Sequence, residues 1–160
     1  MIELQELSSY DWKVWRDLRL AAVAEAPYAF GSTSADWTDA PEEKWRERLD
    51  IPGARNVVAL LDGTPVGMCS GIPGEAEGEV ELISMWVAPA GRGKGVGDRL
   101  MAWVEEIARA AGAHTLALAV AEGNENAIGL YERSGYVVVR SEEEILGDRV
   151  LQHHVMHKSL

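Results

Sequence analysis

A glycine-rich turn between a strand and a helix constrains this chain more than any other stretch. Residues 89–101 read P-A-G-R-G-K-G-V-G-D-R-L-M. Before them, residues 79–87 (E-V-E-L-I-S-M-W-V) read as a strand. After them, Val96, Leu100, Val104, Ile107, Ala108 and Ala111 recur at helical spacing, which predicts a helix over 96–111. That order makes an anion site. Gly91, Gly93, Gly95 and Gly97 carry no Cβ, so the backbone can bend tightly and approach a ligand, and the free N–H groups of the first helical turn point toward it. Arg92 and Lys94 add positive charge at the same place.

Two common phosphate loops do not fit the spacing. A Walker A loop needs Gly-Lys followed by Ser or Thr, but Lys94 is followed by Gly95. A dinucleotide fingerprint needs G-x-G-x-x-G, and the spacing here is G-x-G-x-G. What remains is R-x-x-G-x-G, formed by Arg92, Gly95 and Gly97.

At 160 residues the chain fits one domain, 1–160, and can bury a core. No apolar run reaches the roughly 20 residues that span a bilayer, and the N-terminal M-I-E-L-Q-E-L has neither the basic flank nor the apolar stretch of a signal peptide. The expected location is the cytoplasm. The single cysteine, Cys69, excludes an intrachain disulfide framework. Lying in an apolar stretch, it reads as a buried, inert thiol. A net charge of -11 argues against nucleic-acid binding, which needs a basic footprint. It is compatible with a cationic acceptor, and equally with an acidic, soluble protein.

The rest of the chain reads as strand 2–7, helix 11–24, helix 39–49 with Pro41 in its first turn, a hairpin of strands 56–61 and 66–72 around Asp62-Gly63-Thr64-Pro65, and the unit already described. Strand 114–120, helix 124–134, strand 136–141 and strand 150–158 complete it. The order is βααβββαβαββ. It predicts an α/β fold with a mixed sheet and helices on both faces.

A second motif lies in residues 124–136, N-E-N-A-I-G-L-Y-E-R-S-G-Y. It is similar to the N-x-x-A-x-x-x-Y-x-x-x-G-(F/Y) helix of the GNAT family of N-acetyltransferases, and R-x-x-G-x-G resembles that family's pyrophosphate loop. Both motifs stand in the family's order, and the resemblance covers nearly the whole chain. It implies a GNAT-like acyl-CoA N-acyltransferase fold. The implied activity is transfer of acetyl from acetyl-CoA to a primary amine, by direct attack in a ternary complex and with no metal.

By this resemblance, the backbone of Arg92, Gly93, Lys94, Gly95, Val96 and Gly97 would bind the coenzyme pyrophosphate, with Arg92 and Lys94 supplementing the charge. Main-chain groups of Met85, Trp86 and Val87 would pair with the pantetheine arm as an added strand. An N–H near Trp86 or Val87 would face the thioester oxygen. Asn124 and Asn126 would contribute to coenzyme binding; Asn124 could instead, or as well, cap its helix. Tyr131 would protonate the leaving thiolate. Glu81 occupies the place of a catalytic glutamate in several family members and would take the amine proton, directly or through water. Glu79, two residues earlier on the same strand face, is the alternative, and both could instead line a solvated face. His153, His154 and His157 do not make a metal cluster, because neighbours in a strand face opposite sides.

The acceptor is expected between residues 26–37, with Tyr28, Phe30 and Trp37, and the connection 141–147, with Glu142, Glu143 and Glu144. Aromatic walls and carboxylates suit a small amine or a peptide amino group, while three successive glutamates also suit a solvated turn. Two readings remain open. One is an N-acetyltransferase of a small-molecule amine, or else of a protein N-terminus or lysine. The other is a non-catalytic acetyl-CoA sensor. A homodimer is compatible with the family, although no self-complementary patch is visible in the sequence.

Overall fold

The computed structural model describes residues 1–25 and 37–160. Its order matches the expected one: β1 (Ile2–Leu7), α1 (Trp12–Glu25), α2 (Glu42–Leu49), β2 (Arg55–Leu61), β3 (Thr64–Pro73), β4 (Glu79–Val87), α3 (Val96–Ala110), β5 (Thr115–Ala121), α4 (Glu125–Arg133), β6 (Val137–Leu146) and β7 (Arg149–Ser159). These strands form a single sheet in the order β1-β2-β3-β4-β5-β7-β6. Of their pairings, only that of the central β4 and β5 is parallel. Parallel neighbours need a crossover, and α3 supplies it.

Each face of the sheet is covered by helices whose buried side follows the sequence periodicity. On α1 the buried positions are Trp12, Trp15, Leu18, Ala22 and Val23. Trp12, Trp15, Leu18 and Ala22 pack with Trp45 and Leu49 of α2 against Val58, Met68 and Trp86. On the other face Val96, Leu100, Val104 and Ile107 of α3 join Leu116, Leu118, Val120, Leu130 and Met156. Full burial of each such aliphatic side chain contributes about 1.5–3 kcal/mol. Cys69 is fully buried in this second core, and burial pushes its thiol far above the ordinary range, in keeping with an inert residue.

Three local expectations change. Helix α2 begins at Glu42, with Pro41 preceding it as an extended cap residue. The β2–β3 turn closes over two residues, because Asp62 and Gly63 both adopt positive φ as a tight hairpin turn requires. The third bears on function. Residues 142–144 are not a connection but part of β6, paired with residues 151–153 of β7. Pairing with β7 carries the strand past the charged run, and the reversal comes at Gly147, whose φ is 63°. Tyr28 and Phe30 lie outside the described residues, and Trp37 packs at the edge of the α1–α2 core.

Candidate active site

The central parallel pair separates almost as soon as it forms. Glu79, Val80 and Glu81 pair with Thr115, Leu116 and Ala117, and there the ladder ends. Just beyond that point β4 is irregular. Met68 faces Trp86 and Ser70 faces Ile83, so one residue of β3, Cys69, opposes both Ser84 and Met85. This is a β-bulge, and Ser84 takes a φ of 55° to make it. The bulge also reverses the strand's alternation. Val80 and Leu82 lie in the α3 core before it, and Met85 and Val87 do so after it, while Trp86 joins the α1–α2 core.

A cavity of about 580 Å³ opens where the strands part. Its volume is that of a small-molecule site. The end of β4 (Met85, Trp86 and Val87) forms one wall, and the loop with the first turn of α3 (Arg92, Gly93, Gly95, Val96 and Gly97) forms its end. The third side comes from Asn124, Asn126 and Tyr131 of the second motif. Two stretches separated by a helix and a strand in sequence thus meet at one cavity.

The loop's geometry fits an anionic group. Gly95 precedes α3 with φ 86° and ψ 8°, a conformation that places the first-turn N–H groups at the cavity without a side-chain cap competing for them. Gly97 lies against α4, where an added Cβ would sit 3.1 Å from Leu130. Asn124 makes no side-chain cap bond to α4 and lines the cavity. Lys94 does not line the cavity, and its ammonium donates to the Ala90 carbonyl.

Arg92 does line it, but already has partners. Its Nε donates to the Val87 carbonyl (3.1 Å) and its Nη2 to Glu25 (2.9 Å), whose other oxygen accepts from the Trp86 indole (3.1 Å). Glu25 therefore joins the end of α1 to both walls of the cavity. Nothing local in the sequence marks it, since its partners are 61 and 67 residues away. Arg133 and Asp98, paired at 3.3 Å across α3 and α4, also line the cavity and carry no motif signal.

Tyr131 is buried at the cavity wall, and burial holds its phenol well above the usual tyrosine range. It is therefore protonated at neutral pH and able to donate. Glu81 is not part of this wall. It occupies the last position of β4 that pairs with β5 and points to the opposite face of the sheet from the α3 core. Burial, then the charges of Glu75 and Glu79, raise its carboxyl above the ordinary glutamate range. Ala117 lies directly across from Glu81 and His157 directly across from Ala117, so all three share that face. His157 Nε2 is 3.7 Å from Glu79, which also accepts from the Ala76 N–H. His153 approaches Glu144 at 2.9 Å, and His154 pairs with Ser141. Among the described residues no three His, Cys, Asp or Glu side chains converge in a way that could hold a metal.

A phosphate-type loop opening into a cavity beside a gap between parallel strands suits a small molecule with an anionic group at one end. Residues 15–136 match the model of the acetyltransferase (GNAT) family, and the chain belongs to that family. It is 38% identical over 91 residues to the IAA acetyltransferase of Azospirillum brasilense, a stretch that covers 56% of this chain and 59% of that relative. The match thus spans less than two thirds of that relative's length. The L-methionine sulfoximine/L-methionine sulfone acetyltransferase of Pseudomonas paraeruginosa is 29% identical over 138 residues, 76% of this chain and 80% of its own. Among solved structures, the ribosomal-protein-alanine N-acetyltransferase of Brucella melitensis superimposes with a TM-score of 0.80 at 26% identity, covering 99% of both chains.

Proposed function

We propose that this protein acetylates the primary amine of a small molecule, with Glu81 as base and Tyr131 as acid. The observation that carries the reading is the gap between β4 and β5. The cavity opens there, Tyr131 belongs to the α3 core at its wall, and Glu81 lies on the opposite face of the sheet from that core. Donor and acceptor would then approach through opposite faces and meet in the gap. The two sequence relatives described above are named for small-molecule substrates, and acetyl-CoA is the cofactor in a further solved structure of this fold.

Acetyl-CoA supplies the acyl group as an activated thioester. The chain's residues divide the remaining work. Backbone N–H groups of 92–97 hold the pyrophosphate, and the main chain of 85–87 holds the pantetheine arm. Within that stretch an N–H faces the thioester oxygen, where it offsets charge gained during attack. Glu81 removes the proton of an alkylammonium whose reference pKa is near 10.4. The Tyr131 hydroxyl donates to the departing sulfur.

Calorimetric titration with acetyl-CoA, then a thiol-release assay on the same sample over polyamines, aminoglycosides, amino acids and short peptides, tests the reading. Binding with turnover on a small amine is expected. Turnover on peptides alone would move the acceptor to a protein N-terminus or lysine, and binding without turnover would favour a sensor. Absence of binding would refute the assignment of the loop.

A further inference from the structure

Arg48, on α2, is half-buried beneath the bulge of β4, and its hydrogen bonds reach three strands. Its Nη1 donates to Asn56 Oδ1 of β2 (3.2 Å), and its Nη2 donates to Ser70 Oγ of β3 (3.1 Å) and Ser84 Oγ of β4 (3.0 Å). Asn56 and Ser70 are buried and bonded to each other at 2.6 Å, and Asn56 also donates to the Leu49 carbonyl. The Trp15 ring packs on the guanidinium at 5.0 Å. Every one of these partners is neutral. Burial and the neighbouring Arg19 pull the Arg48 pKa down to about 10, so it remains a cation at neutral pH.

A largely desolvated cation bonded only to neutral groups is a poor device for stability, because desolvation opposes its hydrogen bonds and an apolar side chain of similar size often serves as well. A left-handed serine within a strand is likewise unfavourable unless its surroundings hold it. The two features meet in one hydrogen bond. Ser84 is the residue at which β4 reverses its alternation, and that reversal turns Trp86 to one core and Met85 and Val87 to the other.

We infer that Arg48 is a positioning residue for acetyl transfer: it pins Ser84 in the bulge that aims the backbone of residues 85–87 at the coenzyme thioester. The inference rests on the reading of that backbone as the pantetheine-binding edge. Among the described residues no second side chain bonds the Ser84 hydroxyl, and the Trp86 indole bond to Glu25 fixes the strand only two residues further on. Arg48 therefore sets the bulge, while Glu25 fixes the end of the strand beyond it.

The test compares Arg48→Met, Ser84→Gly and the double variant. Arg48→Met is expected to raise the acetyl-CoA KM and lower kcat, each by roughly tenfold, as loss of a hydrogen bond to a charged group would. The acceptor KM should stay unchanged and Tm should move little. Ser84→Gly alone should remain active, and adding it to Arg48→Met should recover most of the loss, because glycine takes φ 55° with no clamp. Amide exchange at residues 84–87, measured without ligand, should quicken in Arg48→Met and slow again in the double variant. That readout does not require acetyl-CoA to bind, so it separates failure of the clamp from failure of the functional reading. Unchanged exchange at 84–87 in Arg48→Met, or a double variant no better than Arg48→Met, would overturn the inference. Activity lost only in proportion to lost folded protein would do the same.

Discussion

Glu81 and Tyr131 are 50 positions apart in sequence and face opposite sides of one sheet, yet both border the same gap. The environment of each suits its proposed task. Burial and two neighbouring carboxylates raise Glu81, which brings a glutamate toward the pH at which a base works well. As a base it must be ionised, so kcat/KM should fall as pH drops through its raised pKa. Glu81→Gln should lower kcat/KM by about 10²–10⁴-fold and flatten that acid limb in a pH-rate profile. A profile that keeps its acid limb would assign it to another group, with Glu79 and His157 the nearest candidates. Tyr131→Phe should reduce kcat by a similar factor while leaving the calorimetric acetyl-CoA affinity nearly intact; parallel loss of both would mean that the ring serves packing. At this scale the motif residues were legible because local spacing places them, whereas Glu25, Arg48 and Arg133 were not. Their roles are contacts between elements distant in sequence.

Among the elements, the turn into α3 carries the most constraint. Gly95 has φ 86°, and an added Cβ would meet nothing closer than an Ile2 carbon at 4.0 Å, so its cost is conformational rather than steric. Gly95→Ala should therefore destabilise the fold by about 1–2 kcal/mol. It should also raise the acetyl-CoA KM more than the acceptor KM, which urea unfolding and steady-state kinetics can check together. Strand β6 shows where local reading stops. Its run of Glu142, Glu143 and Glu144 has the composition of a solvated turn, but β7 offers a complete ladder of partners as far as Arg149. Backbone pairing outweighs the weak strand preference of glutamate. The side chains then divide between the two faces: Glu142 binds Arg140, Glu143 accepts from Gln152, and Glu144 meets His153. They do not form one acidic patch.

For the whole molecule, the Lys158 side chain ties the last strand to the helices. Lys158 Nζ donates to Glu105 of α3 and to the Ser134 carbonyl at the end of α4, both at 2.8 Å. The Lys158 hydrogen bond, then that of Arg109, holds the Glu105 carboxyl below its usual value near 4.5. A lowered carboxylate pKa stabilises the fold above that value, and the contribution is lost as pH falls through the folded pKa. Lys158→Met should reduce stability at pH 7 by about 1 kcal/mol, and the difference should shrink as pH is lowered through the acid range below 4.5, measured by urea unfolding at each pH. The order of elements, the anion loop and both motifs could be read from sequence, because helical and strand periodicity, glycine placement and short motif spacing are properties of neighbouring residues. Tertiary structure alone decided where β4 leaves β5, which faces Glu81 and Tyr131 occupy, and that an arginine from α2 holds the serine that turns the strand. Those features arise from register and from packing between distant segments, and a bulge of one residue reverses every side chain beyond it.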